Sequence, residues 1–331
     1  MSDVDPIERL VETASAAELV DAVDDWCATG RWDDLLRLWR RLDHAGRTVR
    51  QLGPVAAHTA HRLTLAAPPA VVATVLAQAT GRPSVGPLTE VAASVHDWAA
   101  LEGHLTGPTR TLVAYERVVR GEDLRGALDV DRTLFDLPLV LQPWEPRVDG
   151  AVYDPLGGRF PAPEPPEFGE PVACDPDARP IGDEEAIDGL LDVVRMWSEE
   201  SNGSVDAVAV DGDQRAAVGA LGEPVASFAL LDTPAALEQL CWAGASGGAA
   251  GPRRGAAAGR FAAWWAVAAI TGRTDEWPLD PDDVGAEADR LVWYAWATGR
   301  TTPWTCRLVA VDADRGRSFA LVAVDDRLSG P

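Results

Sequence analysis

The chain contains no lysine: all 29 basic residues are arginine, and there is a single asparagine, Asn202. A GC-rich coding bias accounts for this together with the abundance of alanine, glycine, arginine and tryptophan. Whatever its origin, the absence removes Schiff-base catalysis, pyridoxal-phosphate anchoring, Walker-A phosphate binding and kinase-type phosphate pairing in their usual forms, because each uses a lysine amine. Cysteine is almost as scarce. Cys27, Cys174, Cys241 and Cys306 stand more than sixty residues apart without a Cys-x-x-Cys pair, which excludes a zinc knuckle and a thioredoxin motif and leaves them as small buried hydrophobes.

Long apolar runs are missing too. The longest, Phe261 to Ile270, is about half a membrane span and reads as a buried helix segment. The opening MSDVDPIERL has neither a basic stretch nor an apolar core of the signal-peptide kind, so a cytoplasmic location is expected. Net charge is −23, about −6 over residues 1–142 and about −17 over the remainder. Such a chain repels polyanions, and it carries neither a basic stripe with interleaved aromatics nor a basic amphipathic helix, so neither nucleic acid nor membrane is an expected partner.

What is present is a globular composition, 47% apolar and 24% charged over 331 residues, long enough for two domains with separate cores. The expected fold class is α+β in two parts. Residues 1–142 predict an all-α helical bundle or short α-solenoid, 143–172 a proline-rich linker or strap, and 173–331 a mixed or antiparallel sheet covered by helices. In the first part, Ser15 and Glu18 form a capping box ahead of Leu19, Val23 and Trp26, with Gly30 as the stop. A helix over about 32–45 carries Trp32, Leu35, Leu36, Trp39 and Leu42 on one face. Further helices are expected over 53–66, 69–80, 87–102 and 108–121.

Residues 143–171 hold eight prolines, which sustain neither a helix nor a central strand. Short strands are expected at 137–141 and 152–153. Beyond them the pattern predicts helices over 183–200, from Thr233-Pro234 onward and over about 255–271. Strands are expected at 205–210, 215–221, 225–231, 290–297, 305–312 and 317–324, the last two as a β-hairpin. The sequence VAVDGD (208–213) recurs as VAVDAD (309–314). Two separate acidic turns explain this, and a duplicated hairpin is the alternative.

The stretches GPLTEVAASVHDWAALEGHL (86–105), LVAYERVVRGEDLRG (112–126) and GRFAAWWAVAAITG (259–272) resemble segments of uncharacterised actinobacterial proteins of similar length. The resemblance spans both halves but carries no catalytic motif, so it implies no residue roles.

Two constellations bear most directly on chemistry. The stretch GASGGAAGPRRGAAAGR (244–260) leads into a helix. Backbone amides at Gly247 and Gly248 with Arg253, Arg254 and Arg260 offer an anion site there, against the plainer reading of a small-residue loop whose arginines pair with nearby carboxylates. His58 and His61 sit one helical turn apart, a spacing that can grip a metal ion if His96, His104, Glu90 or Glu102 joins them; no other cofactor is expected. The plainer reading is ordinary polar helix residues, and HExxH is absent.

Ser246 in Gly244-Ala-Ser246-Gly-Gly248 matches a nucleophile elbow in form only, since a helix precedes it and no histidine follows His104. Asp280–Gly285 lacks two ligands of a calcium loop and reads as a helix start. Asp211, Asp213, Asp312 and Asp314 could share a hard cation only if the fold gathered them. Thirteen tryptophans are explained by core packing sooner than by stacking platforms. The leading functional expectation is a non-catalytic protein-interaction protein with a protein partner. The alternatives are a small-anion-binding enzyme or sensor using the 244–260 loop, and a metal-dependent enzyme using the helical histidines.

Overall fold

The computed structural model describes residues 5–80, 83, 85–299 and 302–326. The chain forms two compact units: Met1–Arg117, Ala127–Asp131 and Gly150–Phe160 in the first, and Val118–Gly126, Arg132–Asp149 and Pro161–Pro331 in the second. The proline-rich stretch expected as a linker over 143–172 is thus shared between them.

The first unit is built from α1 (Pro6–Thr13), α2 (Ala16–Ala28), α3 (Trp32–Gly46), α4 (Gly53–Ala66), α5 (Pro69–Gln78), α6 (Leu88–Val95), α7 (Trp98–Leu101) and α8 (Gly107–Val119). The capping box forms as expected: Ser15 N–H donates to Glu18 Oε2 at 2.7 Å, and Glu18 N–H to Ser15 Oγ at 3.3 Å. Helix α3 buries Leu35, Leu38, Trp39 and Leu42, each Leu worth about 1.5–3 kcal/mol once removed from water. Helix α4 is buried on most of its circumference and packs against α2, α3, α5 and α6. The single helix expected over 87–102 is two, because Asp97 leaves the helical conformation and accepts from Ala100 N–H at 2.9 Å, capping α7 afresh.

A small hairpin, β1 (Val152–Asp154) and β2 (Gly157–Arg159), completes this unit. Tyr153 Oη donates to the buried Glu90 Oε2 at 2.6 Å, and it lies so close over Gly86 that a Cβ has no room there, while Gly158 is crowded by Phe160, Tyr153 and Val85 together.

The second unit contains β3 (Val172–Ala173), α9 (Glu184–Glu199), β4 (Ser204–Asp211), α10 (Gln214–Ala220), β5 (Val225–Leu231), α11 (Thr233–Ala245), α12 (Ala256–Ile270), α13 (Pro281–Arg290), β6 (Val292–Ala297), β7 (Thr305–Asp312) and β8 (Arg317–Val324). Six strands form one antiparallel sheet in the order β3-β5-β6-β7-β8-β4. Strands β4, β7 and β8 are buried nearly without alternation, as strands covered on both faces must be. Helix α10 covers one face through Ala216, Ala217 and Val218. Helices α9 and α11 pack on the sheet as well, and α12 lies across both of them. Gly259 meets the α11 backbone at the Cys241 carbonyl, where no Cβ would fit, so α11 and α12 approach backbone to backbone.

Three expectations are corrected. Residues 215–221 are the helix α10 and not a strand, because Asp213 accepts from Arg215 and Ala216 N–H and starts a helix that alanine favours. Residues 137–141 form no strand: their carbonyls bond to Arg260 and to Leu124 N–H instead. The repeated acidic hexapeptide forms one hairpin turn only, since its first copy runs into α10. Both copies flank β8 in the same register, with Val208 and Val309 each opposite Ala320, and Asp211 and Asp312 each opposite Arg317.

Candidate functional site

The 244–260 loop carries an anion of its own chain. Ala249 N–H and Ser201 Oγ–H both donate to Asp325 Oδ2, at 2.5 and 2.6 Å, and Ala250 N–H donates to Ser201 Oγ at 3.0 Å. Gly248, at φ +76°, lies against the same carboxylate oxygen and donates its N–H to Ser246 Oγ at 2.9 Å. Gly247 is packed against the backbone at Gly251 and Pro252. The amide-rich turn is therefore engaged by buried Asp325.

Arg260 and Arg254 of this loop hold different partners. Arg260 is 3% exposed, and its Nε and Nη2 grip Glu145 at 2.6 and 2.8 Å while Nη1 and Nη2 donate to the carbonyls of Pro138 and Val140. Trp264 Nε1–H donates to the same carboxylate at 2.6 Å. Arg254 is half-buried and reaches the Asp192 carbonyl at 3.5 Å; burial and, after it, Arg195 push its pKa down. Arg253 is half-buried beside it.

The two histidines, one turn apart on α4, take different partners. His58 Nε2 lies 3.6 Å from Asp24, which also pairs with Arg62. His61 Nε2 bonds to the Asp154 carbonyl at 2.8 Å, so that nitrogen carries the proton. Burial holds the His61 pKa below the ordinary histidine value, with the Asp154 carbonyl opposing. His104 is exposed, and His96 is partly buried. Among the described residues no group of three or more His, Cys, Asp or Glu is placed to hold a metal ion. Asp312 is paired with Arg290 at 2.5 Å, Asp213 and Asp280 cap helices, and these carboxylates share no centre.

The feature the sequence did not reveal is a cleft of about 420 Å3 in the second unit. Its walls come from the segment 162–168, from Gln239 and Trp242 of α11, from Ala295, Trp296 and Ala297 of β6, and from Thr302 and Pro303 just before β7 with Thr305, Cys306 and Arg307 at its start. Trp242 stacks on Trp304 with centroids 5.8 Å apart and meets Trp197 edge-on at 5.5 Å. The Arg307 guanidinium lies 5.0 Å over the Trp296 ring, and burial lowers its pKa while Glu223 opposes. The indole Nε1 atoms of Trp242 and Trp296 are buried without a hydrogen-bond partner.

Cys306 also lines the cleft, and burial pushes its thiol up to about 12. It is a neutral packing group and not a nucleophile at neutral pH. Among the described lining residues the ionisable side chains are Glu164, Cys306 and Arg307. Sequence reading missed it because its walls come from four separated segments. The signals were the run PAPEPPEF (161–168) and tryptophans in strand and helix positions.

A model of a family of unknown function, DUF6183, matches residues 17–327, and the chain belongs to that family. No curated protein and no solved structure matches the chain. No described helix is long and apolar enough to cross a membrane.

Proposed function

We propose that the protein is a non-catalytic binding protein whose ligand site is the tryptophan-walled cleft of the second unit. One observation carries this reading: a preformed cavity of about 420 Å3, within the range of ligand pockets, whose walls are aromatic, prolyl and small apolar side chains with few polar groups. The thiol it contains is held neutral by burial, which favours binding over thiol chemistry. The anion and metal alternatives draw less support, since Asp325 occupies the amide turn and His58 and His61 turn to different partners. We also propose a cytoplasmic location, which the four free buried cysteines support.

The test is a thermal-shift screen of the full chain against a small-molecule set that includes 8-anilinonaphthalene-1-sulfonate, in parallel with Ala297→Gln. That substitution puts a longer side chain into the cleft from the end of β6. A true site ligand at a hundredfold its Kd stabilises the wild type by about 2.7 kcal/mol and leaves the variant unmoved. Equal shifts for both proteins, or none across the set, would refute the reading.

A further inference from the structure

The cleft already seats a proline-rich stretch of its own chain. Residues 161–170 read PAPEPPEFGE and adopt neither helix nor strand. Pro163, Pro165, Pro166 and Phe168 line the cleft together with Trp242 and Trp296. Proline has no N–H to donate, so a stretch of this composition is held by ring packing and through its carbonyls, the way extended proline-rich peptides dock in aromatic grooves. The anchoring is light: Gly169 N–H donates to the Phe228 carbonyl at 3.0 Å just before the two-residue strand β3.

The seat is also imperfect. Two indole N–H groups in the wall, on Trp242 and Trp296, are buried without an acceptor, and a buried donor left unpaired is costly. A cavity of about 420 Å3 stays open beside the segment. Together these describe an aromatic groove partly filled by a lightly held segment, with an unpaired indole donor on each of two tryptophans in its wall.

We propose that the cleft recognises a proline-rich peptide of a partner protein, and that residues 161–168 are an internal stand-in that such a peptide displaces. The proposal rests on the binding reading above and names the occupant. A better-matched peptide supplies carbonyls to the two indoles and fills the open volume, and the light anchoring makes the exchange possible without unfolding the sheet.

The experiment titrates the acetylated, amidated peptide FPAPEPPEFG (160–169) into the full chain labelled with 15N at the indole nitrogens. Trp242→Phe and Trp296→Phe identify the two resonances. Saturable binding that shifts both indole resonances is expected, and a peptide with every proline replaced by alanine does not bind. The triple variant Pro163→Ala/Pro165→Ala/Pro166→Ala weakens the internal competitor, so it binds the peptide several-fold more tightly.

Unchanged affinity in that variant would overturn the stand-in. No peptide binding up to millimolar concentration, with 8-anilinonaphthalene-1-sulfonate still excluded by Ala297→Gln, would overturn the peptide assignment and leave a small-molecule cleft. Failure of both probes would overturn the cleft itself.

Discussion

Removing either partner of the Arg260–Glu145 pair tests how the second unit holds its irregular segment 132–149 against α12. Both side chains are 3% exposed, and the carboxylate takes two guanidinium bonds, the Trp264 indole N–H and the Gln142 amide. Glu145→Ala leaves a buried guanidinium without its counter-charge and two donors without an acceptor. Breaking a buried pair from one side costs about 3–5 kcal/mol, which is a large part of a domain's stability of about 5–15 kcal/mol.

Arg260→Ala should cost a similar amount, because it also strips the Pro138 and Val140 carbonyls of their donor. The double variant Glu145→Leu/Arg260→Met removes both charges and refills the space with apolar groups. It still loses the carbonyl bonds, so it should cost about 2–4 kcal/mol, well below the sum of the single changes. Urea unfolding followed by tryptophan fluorescence gives each value from the midpoint at constant slope. Single changes costing under about 1 kcal/mol, or a double change equal to the sum, would refute the buried-pair argument.

Two further outcomes follow from the packing. Burial holds the His61 pKa below its ordinary value, so the unfolded chain binds the proton more readily and this contribution to stability is complete above about pH 6.5 and lost as pH falls through the folded pKa. Unfolding midpoints between pH 7 and 5 should fall in the wild type, and His61→Gln should flatten that slope; an unchanged slope counts against it. Gly259→Ala drives a Cβ into the Cys241 carbonyl and should cost about 1–3 kcal/mol by overpacking, measured by the same urea titration, whereas neutrality would mean that α11 and α12 separate freely.

Most local structure was legible in the amino-acid order because it is set by neighbours along the chain. Ser15 with Glu18, Asp183 before α9, the proline opening α11 and the acidic turn from Asp312 to Gly316 that joins β7 to β8 all act within a few residues of themselves. The same local logic failed at 215–221, where a short Ala/Val stretch suits helix or strand and the cap at Asp213 decides. It failed again at 137–141, whose carbonyls are claimed by an arginine more than a hundred residues away.

By itself, then, the sequence determined the helical first part, the α+β character of the second and the exclusion of lysine-based chemistry, since periodicity, caps and composition are local or summed properties. Only the tertiary structure decided which polar groups meet. It turned the candidate anion loop inward onto Asp325, committed Arg260 to Glu145, gave His58 and His61 different partners, and assembled the tryptophan cleft from four distant segments. The physical reason is that a donor, a charge or a cavity wall acquires its role from what lies within a few ångströms, and those neighbours are brought there by the burial of the sheet and its helices.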